Sequence, residues 1–433
     1  MENYLHCSLK PWYLQLNYLA VFAFMVVLPF LKSWGARPLL VIGLTVVAML
    51  RQFSAKTAIW HLEKPKELHF YCLWGMWSLV IGNFICKDGL QFFECAKMLV
   101  RTMLLIWVVF ALFSRQRQHV YFLFVLITVA VIQAGASLLG FHVANEENVL
   151  GGEIVRDVFD GNSRVEGLTG NANAMGSMML FGIWAAILLW NRSGGFAKLI
   201  KRVVLLVLMA LFAYFIIQTA SRKSLMVACV LIVGWLMWMI PGRLSFKAFI
   251  TACFMGLILI SIAFFVFGYV MPDTVMAHRF QQWFDAGGGS AAEGFKANVR
   301  YWMYVDGFKF FLDHPIIGLG LGQFKVYHWS GLYSHSDYME PLACTGFVGF
   351  ILYHGFALSV TMRLVRLLRC NVSKDMAYML KGLLLFMICN HYLIGIGCPW
   401  WMSIEHNVIV VFIGTYAWQI EQMCVKHRFI YTT

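Results

Sequence analysis

Charge is what this chain has least of. Asp, Glu, Lys and Arg make up 13% of its 433 residues, where a soluble domain carries about 25%. That shortage argues against a soluble globule, and a hydrophobic share of 61% points to an integral membrane protein. The charge that remains is lopsided, with 34 Lys and Arg against 21 Asp and Glu, a net of +13. This excess does not mark nucleic-acid binding. The basic residues sit in short loops beside apolar runs, as the inner face of a membrane protein requires.

Other absences narrow the class further. The eleven cysteines contain no CxxC pair and fall mostly inside apolar runs, so they read as small hydrophobes rather than disulfide partners or metal ligands. No small-residue cleavage pattern follows the first apolar run, 12–31, which is therefore expected to stay as a span. A Gly-rich dinucleotide fingerprint is missing, and no cofactor is expected. The outer loops hold no DxD pair and no His/Asp/Glu cluster at ligand spacing, so no metal site and metal-independent chemistry are expected. No sequence repeat relates the two halves, which counts against a repeat-built carrier.

What is present is hydrophobic helix. The apolar runs predict one all-α polytopic membrane domain over 1–433, with about twelve spans of roughly 15–24 residues each. They lie at 12–31, 37–50, 68–86, 95–113, 119–141, 171–190, 203–220, 224–240, 248–271, 341–362, 376–397 and 406–423. Lys and Arg crowd the short loops on one side, whereas the short loops 32–36 and 398–405 on the other hold Lys32 alone. By the positive-inside rule both termini are cytoplasmic. That places a first outer loop at 142–170 and a large, partly helical outer loop at 272–340.

The large loop is the long polar interruption of the chain. It contains a Gly/Ala/Ser break (286–292), an amphipathic stretch (298–312), Asp313-His314-Pro315, the run Gly318-Leu319-Gly320-Leu321-Gly322, and then His328 and His335 among aromatics. Asp337 and Glu340 close it. Positive charge also stands on this side, where topology disfavours it. Arg222 and Lys223 lie in a tight hinge between two spans, and Arg279 and Arg300 lie in the loop. Such cations read either as headgroup contacts or as holders of an anionic ligand, for which a guanidinium suits phosphate. Arg164 precedes a Gly/Asn turn whose Asn171 or Asn173 can cap the next span. Among the histidines, His335 is the acid–base candidate, because a free imidazole titrates near working pH. His314 reads as a turn residue before its proline, and His328 as part of an aromatic surface. Asp337 and Glu340 can orient His335 or take the proton, and Glu340 equally suits the start of a helix. Tyr333 is one of the loop aromatics available for stacking on a ligand.

Three segments together carry a resemblance. Gly167-Leu168-Thr169-Gly170-Asn171-Ala172-Asn173-Ala174-Met175-Gly176 opens a span. Thr219-Ala220-Ser221-Arg222-Lys223-Ser224-Leu225 forms the hinge. The third runs from Asn298-Val299-Arg300-Tyr301-Trp302 through Asp313-His314-Pro315 and Ser334-His335-Ser336-Asp337-Tyr338-Met339-Glu340 to Thr345-Gly346-Phe347-Val348-Gly349. In order and spacing, over about 160–355, the chain resembles the bacterial O-antigen polymerase and ligase superfamily. Pro341, and Ser336 or Asp337, depart from its usual residues.

The resemblance implies a GT-C-like membrane glycosyltransferase of the inner membrane, acting at the periplasmic face on glycans linked to undecaprenyl diphosphate. The partners it implies are a lipid-linked glycan donor, a glycan acceptor and membrane lipids, with a chain-length regulator as the further one to look for. Arg222, Arg300, His335, Asp337 and Glu340 would be catalytic, and Arg164, Lys223, Arg279 and Tyr333 would bind substrate. The hinge and the His335 loop look more like polymerases of O-antigen or capsule. A ligase transferring glycan to lipid A-core would show much the same residues, and polysaccharide transport is the competing class.

Overall fold

The computed structural model describes residues 43, 65–113, 119–141, 165, 167–169, 171–190, 195–239, 246–266, 270, 274–277, 299–370 and 372–431. Among them every regular element is a helix, and there is no strand. In chain order the long helices are α1 (Lys66–Ile85), α2 (Gly89–Phe113), α3 (His119–Leu138), α4 (Ala172–Leu189), α5 (Gly195–Gln218) and α6 (Arg222–Met239). They continue as α7 (Phe246–Phe265), α8 (Val299–Asp313), α9 (Met339–Arg369), α10 (Lys374–Phe386) and α11 (Ile404–Tyr431). A π-helical turn, Met387–Leu393, extends α10. The apolar runs expected from position 68 onward each fall on a helix; those at 12–31 and 37–50 lie outside the described residues. Five of the described helices are long and apolar enough to cross a membrane.

The sequence explains which helix is central. α4 is apolar all round, and 89% of its length is buried, as an apolar helix without a polar face requires. It packs against α3, α5, α6 and α10. Asn171 starts it: its side chain accepts from the N–H groups of Asn173 and Ala174 at 2.9 and 3.2 Å. On the other side α1 packs on α9, and α2 on α11. Their seam is aromatic: Trp74 lies 4.7 Å from Tyr353 and 6.2 Å from Trp401, ring to ring. At the opposite end of α9, Arg363 is buried between two acids. Its Nη2 is 3.0 Å from Glu67, and its Nε is 3.1 Å from Glu421, the latter by proximity without hydrogen-bond alignment.

α9 is broken at Gly346, where φ is 65° and ψ −170°. A break of this kind strands backbone groups, and the Pro-Ile-Ile-Gly-Leu-Gly run supplies them. Leu319 N–H donates to Ala343 O, Gly320 N–H to Cys344 O, and Phe347 N–H to Pro315 O, at 2.8–2.9 Å. Trp77 Nε1 donates to Thr345 O at 3.0 Å. The approach is close enough to demand glycine on both sides. A Cβ on Gly346 would lie 2.2 Å from Ile316 O, and one on Gly318 2.4 Å from the Cys344 carbonyl carbon.

Candidate active site

The hinge and the Gly/Asn turn meet. Ser221 Oγ donates to Asn173 Oδ1 at 3.1 Å and shares a hydrogen bond with Ser224 Oγ at 3.0 Å. Gly176 leaves room for both serines, since a Cβ there would stand 2.7 Å from Ser224 Oγ. The hinge turns at Ala220, with φ 48°, and Thr219, Ala220 and Ser221 are buried. So Asn171 caps, while Asn173 anchors the hinge. From this anchored turn α6 starts with Arg222, half-buried, followed at once by Lys223.

His335 stands on a braced loop. Ser334 and Ser336 on either side are buried, and His335 itself is half-buried with φ 53°. Glu340, in the first turn of α9, accepts from Ser334 N–H at 2.7 Å. Ser336 Oγ accepts from the N–H groups of Tyr338 and Met339 at 3.3 Å and so caps α9. Asp337 N–H donates to Gly395 O at 2.8 Å. The Asp337 carboxylate accepts from the Tyr353 hydroxyl at 2.8 and 3.0 Å and from Trp401 N–H at 3.2 Å. The hydrogen bonds of Asp337 and Glu340 thus hold the loop, and neither carboxylate is hydrogen-bonded to His335. Burial pushes the Asp337 carboxyl up to about 7 against the hydrogen bonds from Tyr353 and Trp401.

Two cations face His335. Burial first, then Arg300 and Lys223, push its imidazole down to about 4, so the ordinary imidazole range does not apply. Lys223 Nζ donates to Gly397 O at 3.3 Å. Arg300 Nη1 comes within 3.9 Å of where a Cβ on Gly397 would sit. Tyr304, one turn along α8 from Arg300, donates its hydroxyl to Ile396 O. The chain around Gly395-Ile396-Gly397 is therefore a floor on which the hinge, α8 and the His335 loop converge. Nothing in the sequence singled it out.

Other candidates lie elsewhere. Tyr333 is half-buried, and its hydroxyl accepts from Gln91 Nε2 at 3.0 Å; its ring carries Lys325 Nζ at 5.2 Å. His328 is buried, with Nδ1 2.7 Å from Ser330 Oγ and its ring stacked on Phe324. It packs the loop and does not offer a sugar-binding face. His314 ends α8 with its carbonyl accepting from Gly318 N–H. Arg164 and Arg279 lie outside the described residues. Although no ligand-spaced cluster is legible along the chain, the fold gathers Asp337, His354 and His391 into one.

Residues 204–354 match the family model described as O-antigen ligase. No curated protein matches the chain. The matched stretch contains Lys223, Arg300 and His335 and ends before the 395–397 floor. This domain, set in an all-helical, membrane-type architecture, supports the resemblance to the O-antigen ligase and polymerase superfamily.

Proposed function

We propose that this chain is a membrane glycosyltransferase that polymerises undecaprenyl-diphosphate-linked repeat units of O-antigen or capsule at the periplasmic face of the inner membrane. One observation carries the reading: Lys223 and Arg300, from two separate helices, meet at Gly397, on the same stretch to which the His335 loop is bonded through Asp337 N–H. That set suits a diphosphate leaving group and a hydroxyl nucleophile. The acceptor hydroxyl oxygen attacks the anomeric carbon, and its proton passes to His335. The bond from that carbon to the diphosphate oxygen breaks, and the electron pair leaves with the diphosphate. Charge that develops there is stabilised by fixed cations, with Arg300 and Arg222 as guanidinium forks and Lys223 as a point charge. The diphosphate departs on its lipid, and no metal stands at the reacting atoms. Asp337 and Glu340 position the loop, and Arg164 and Arg279 keep the substrate-binding role that the family resemblance implies.

A second reading has an observation of its own, since the matched family model bears the ligase description. Transfer of lipid-linked glycan to lipid A-core would use the same residues and a different acceptor. The glycan profile of a deletion strain separates the two. Loss of polymer with core capped by a single repeat means polymerase. Loss of every capped form, with lipid-linked polymer accumulating, means ligase. An unchanged profile overturns both. Complementation with His335→Ala or Arg300→Ala is expected to fail at normal expression. A periplasm-active reporter fused near Ser290 is expected to be active and one at Gly195 inactive; the reverse would put the site on the wrong face.

A further inference from the structure

Behind the His335 loop three side chains meet that the transfer chemistry leaves unused. Asp337 comes from the loop, His354 from α9, and His391 from the π-helical turn that follows α10. Each brings a ligand atom within 4.8 Å of the other two. Such turns are rare and often mark functional sites. Here one carries an imidazole in the bundle core, with His391 only 4% exposed.

Each of the three is already oriented by hydrogen bonds, the Asp337 carboxylate through both of its oxygens. The Asp337 carboxylate is held by the Tyr353 hydroxyl and Trp401 N–H. His354 Nε2 lies 3.1 Å from the Asp337 backbone carbonyl. A carbonyl only accepts, so this nitrogen carries the hydrogen, and Nδ1 of a neutral His354 keeps its lone pair. His391 Nδ1 lies 2.9 Å from His406 Nε2, and His406 Nδ1 lies 3.0 Å from the Asn390 side-chain amide. Metal-binding residues are characteristically oriented in this way by outer partners.

Two buried atoms are left over. His391 Nε2 is buried without a hydrogen-bond partner, and so is Asn390 Oδ1. The two are linked through a chain of tautomers. With the Asn390 amide turned so that Oδ1 faces His406, Oδ1 accepts from His406 Nδ1–H. His406 Nε2 then accepts from His391 Nδ1–H, and His391 Nε2 is left with its lone pair unused. Turning the amide exchanges one buried orphan for another, so the amide does not set the direction. A cation in the cluster would.

We propose that Asp337, His354 and His391 bind a divalent transition metal, with zinc the best fit. Two imidazoles and one carboxylate suit zinc, whereas calcium and magnesium prefer all-oxygen shells. Bonds of about 2.0–2.2 Å would bring the ligand atoms roughly 3.3 Å apart, so the cluster contracts by on the order of 1 Å on loading. A water completes the shell. The metal braces the loop, α9 and the π-helical turn against one another, two residues from His335, and touches no reacting atom. The site rests on this geometry and not on the glycosyltransferase reading.

The test uses the full chain purified in detergent. Wild-type protein is dialysed against metal-free buffer, its metal content is measured, and it is then titrated with zinc or cobalt(II) alone. About one zinc per chain is expected, or a stoichiometric visible absorption band from cobalt(II) in a four-coordinate site. His391→Gln should abolish it, and His406→Ala should weaken binding about 10–100-fold. Arg300→Ala should lose transfer and keep the metal, which separates this site from the reaction. Wild type with no bound metal and no cobalt band overturns the proposal, and that outcome depends on no variant folding. Binding undiminished in a folded His391→Gln overturns the ligand set.

Discussion

Lys223 donates to the carbonyl of Gly397 although 174 positions separate the two. This contact brings the hinge cation onto the floor beneath His335, where Arg300 also reaches. If both cations hold one diphosphate, their removal should not be additive. Lys223→Ala and Arg300→Ala are each expected to lower kcat/KM by about 10²–10³, with the double variant well short of the product. Arg300→Lys should recover part of the loss, since it keeps charge without the bidentate fork. Steady-state transfer by the five purified proteins, wild type included, measures this. Full additivity would mean that the two cations serve different groups.

Glu340 separates bracing from base chemistry. Its carboxylate accepts from Ser334 N–H in a fully buried setting. Glu340→Gln keeps an acceptor there and should retain most activity. Glu340→Ala leaves the N–H without a partner, at a cost of about 1–3 kcal/mol, and should lower both stability and transfer. His335→Gln, in contrast, should be nearly inactive while remaining as stable as wild type. Should Glu340→Gln prove as inactive as Glu340→Ala with an unchanged Tm, the carboxylate has a chemical role.

The long helices and the cap of α4 were legible because their signals are local. An apolar run of span length has to be a helix in lipid, and Asn171 carries the short acceptor that a helix start needs. The floor at 395–397 was not legible, because it contributes backbone carbonyls from Gly395, Ile396 and Gly397, and side-chain chemistry does not betray these. Asp337 and Glu340 were found as carboxylates beside His335, but only the fold shows their partners to be Tyr353, Trp401 and Ser334. His354, His391 and His406 lie inside the apolar runs 341–362, 376–397 and 406–423. There was a signal for them: ionisable residues inside apolar spans are functional candidates by default.

The glycines at the break in α9 give a graded prediction. Gly318, Gly346 and Gly331 all have φ between 65° and 73°. A side chain at Gly318 or Gly346 meets backbone at 2.4 or 2.2 Å, whereas nothing lies within 4 Å at Gly331. Gly331→Ala should therefore cost only the left-handed conformation, about 1–2 kcal/mol. Gly318→Ala and Gly346→Ala add a clash that no rotamer relieves, and should lower Tm in detergent much further and abolish transfer. Equal Tm shifts for all three would show that the packing of the 315–320 run against α9 is looser than its hydrogen bonds imply.

Arg363 tests whether the far end of α9 matters to the reaction. Along an intact helix at 1.5 Å per residue it lies about 25 Å from the break at Gly346, among Glu67 and Glu421. The site and this triad share a helix but no contact. Removing one member of a buried ion group leaves the other charges without compensation, typically at about 3–5 kcal/mol. Arg363→Ala should accordingly reduce the yield of folded protein and its Tm, while kcat per folded molecule stays near wild type. Replacing the set together, with Arg363→Met, Glu67→Leu and Glu421→Gln, should recover most of the stability, because apolar groups of similar volume substitute well for buried ion pairs. A loss of kcat in the Arg363→Ala protein that survives the triple replacement would instead mean that the charge at this end acts on the site through α9.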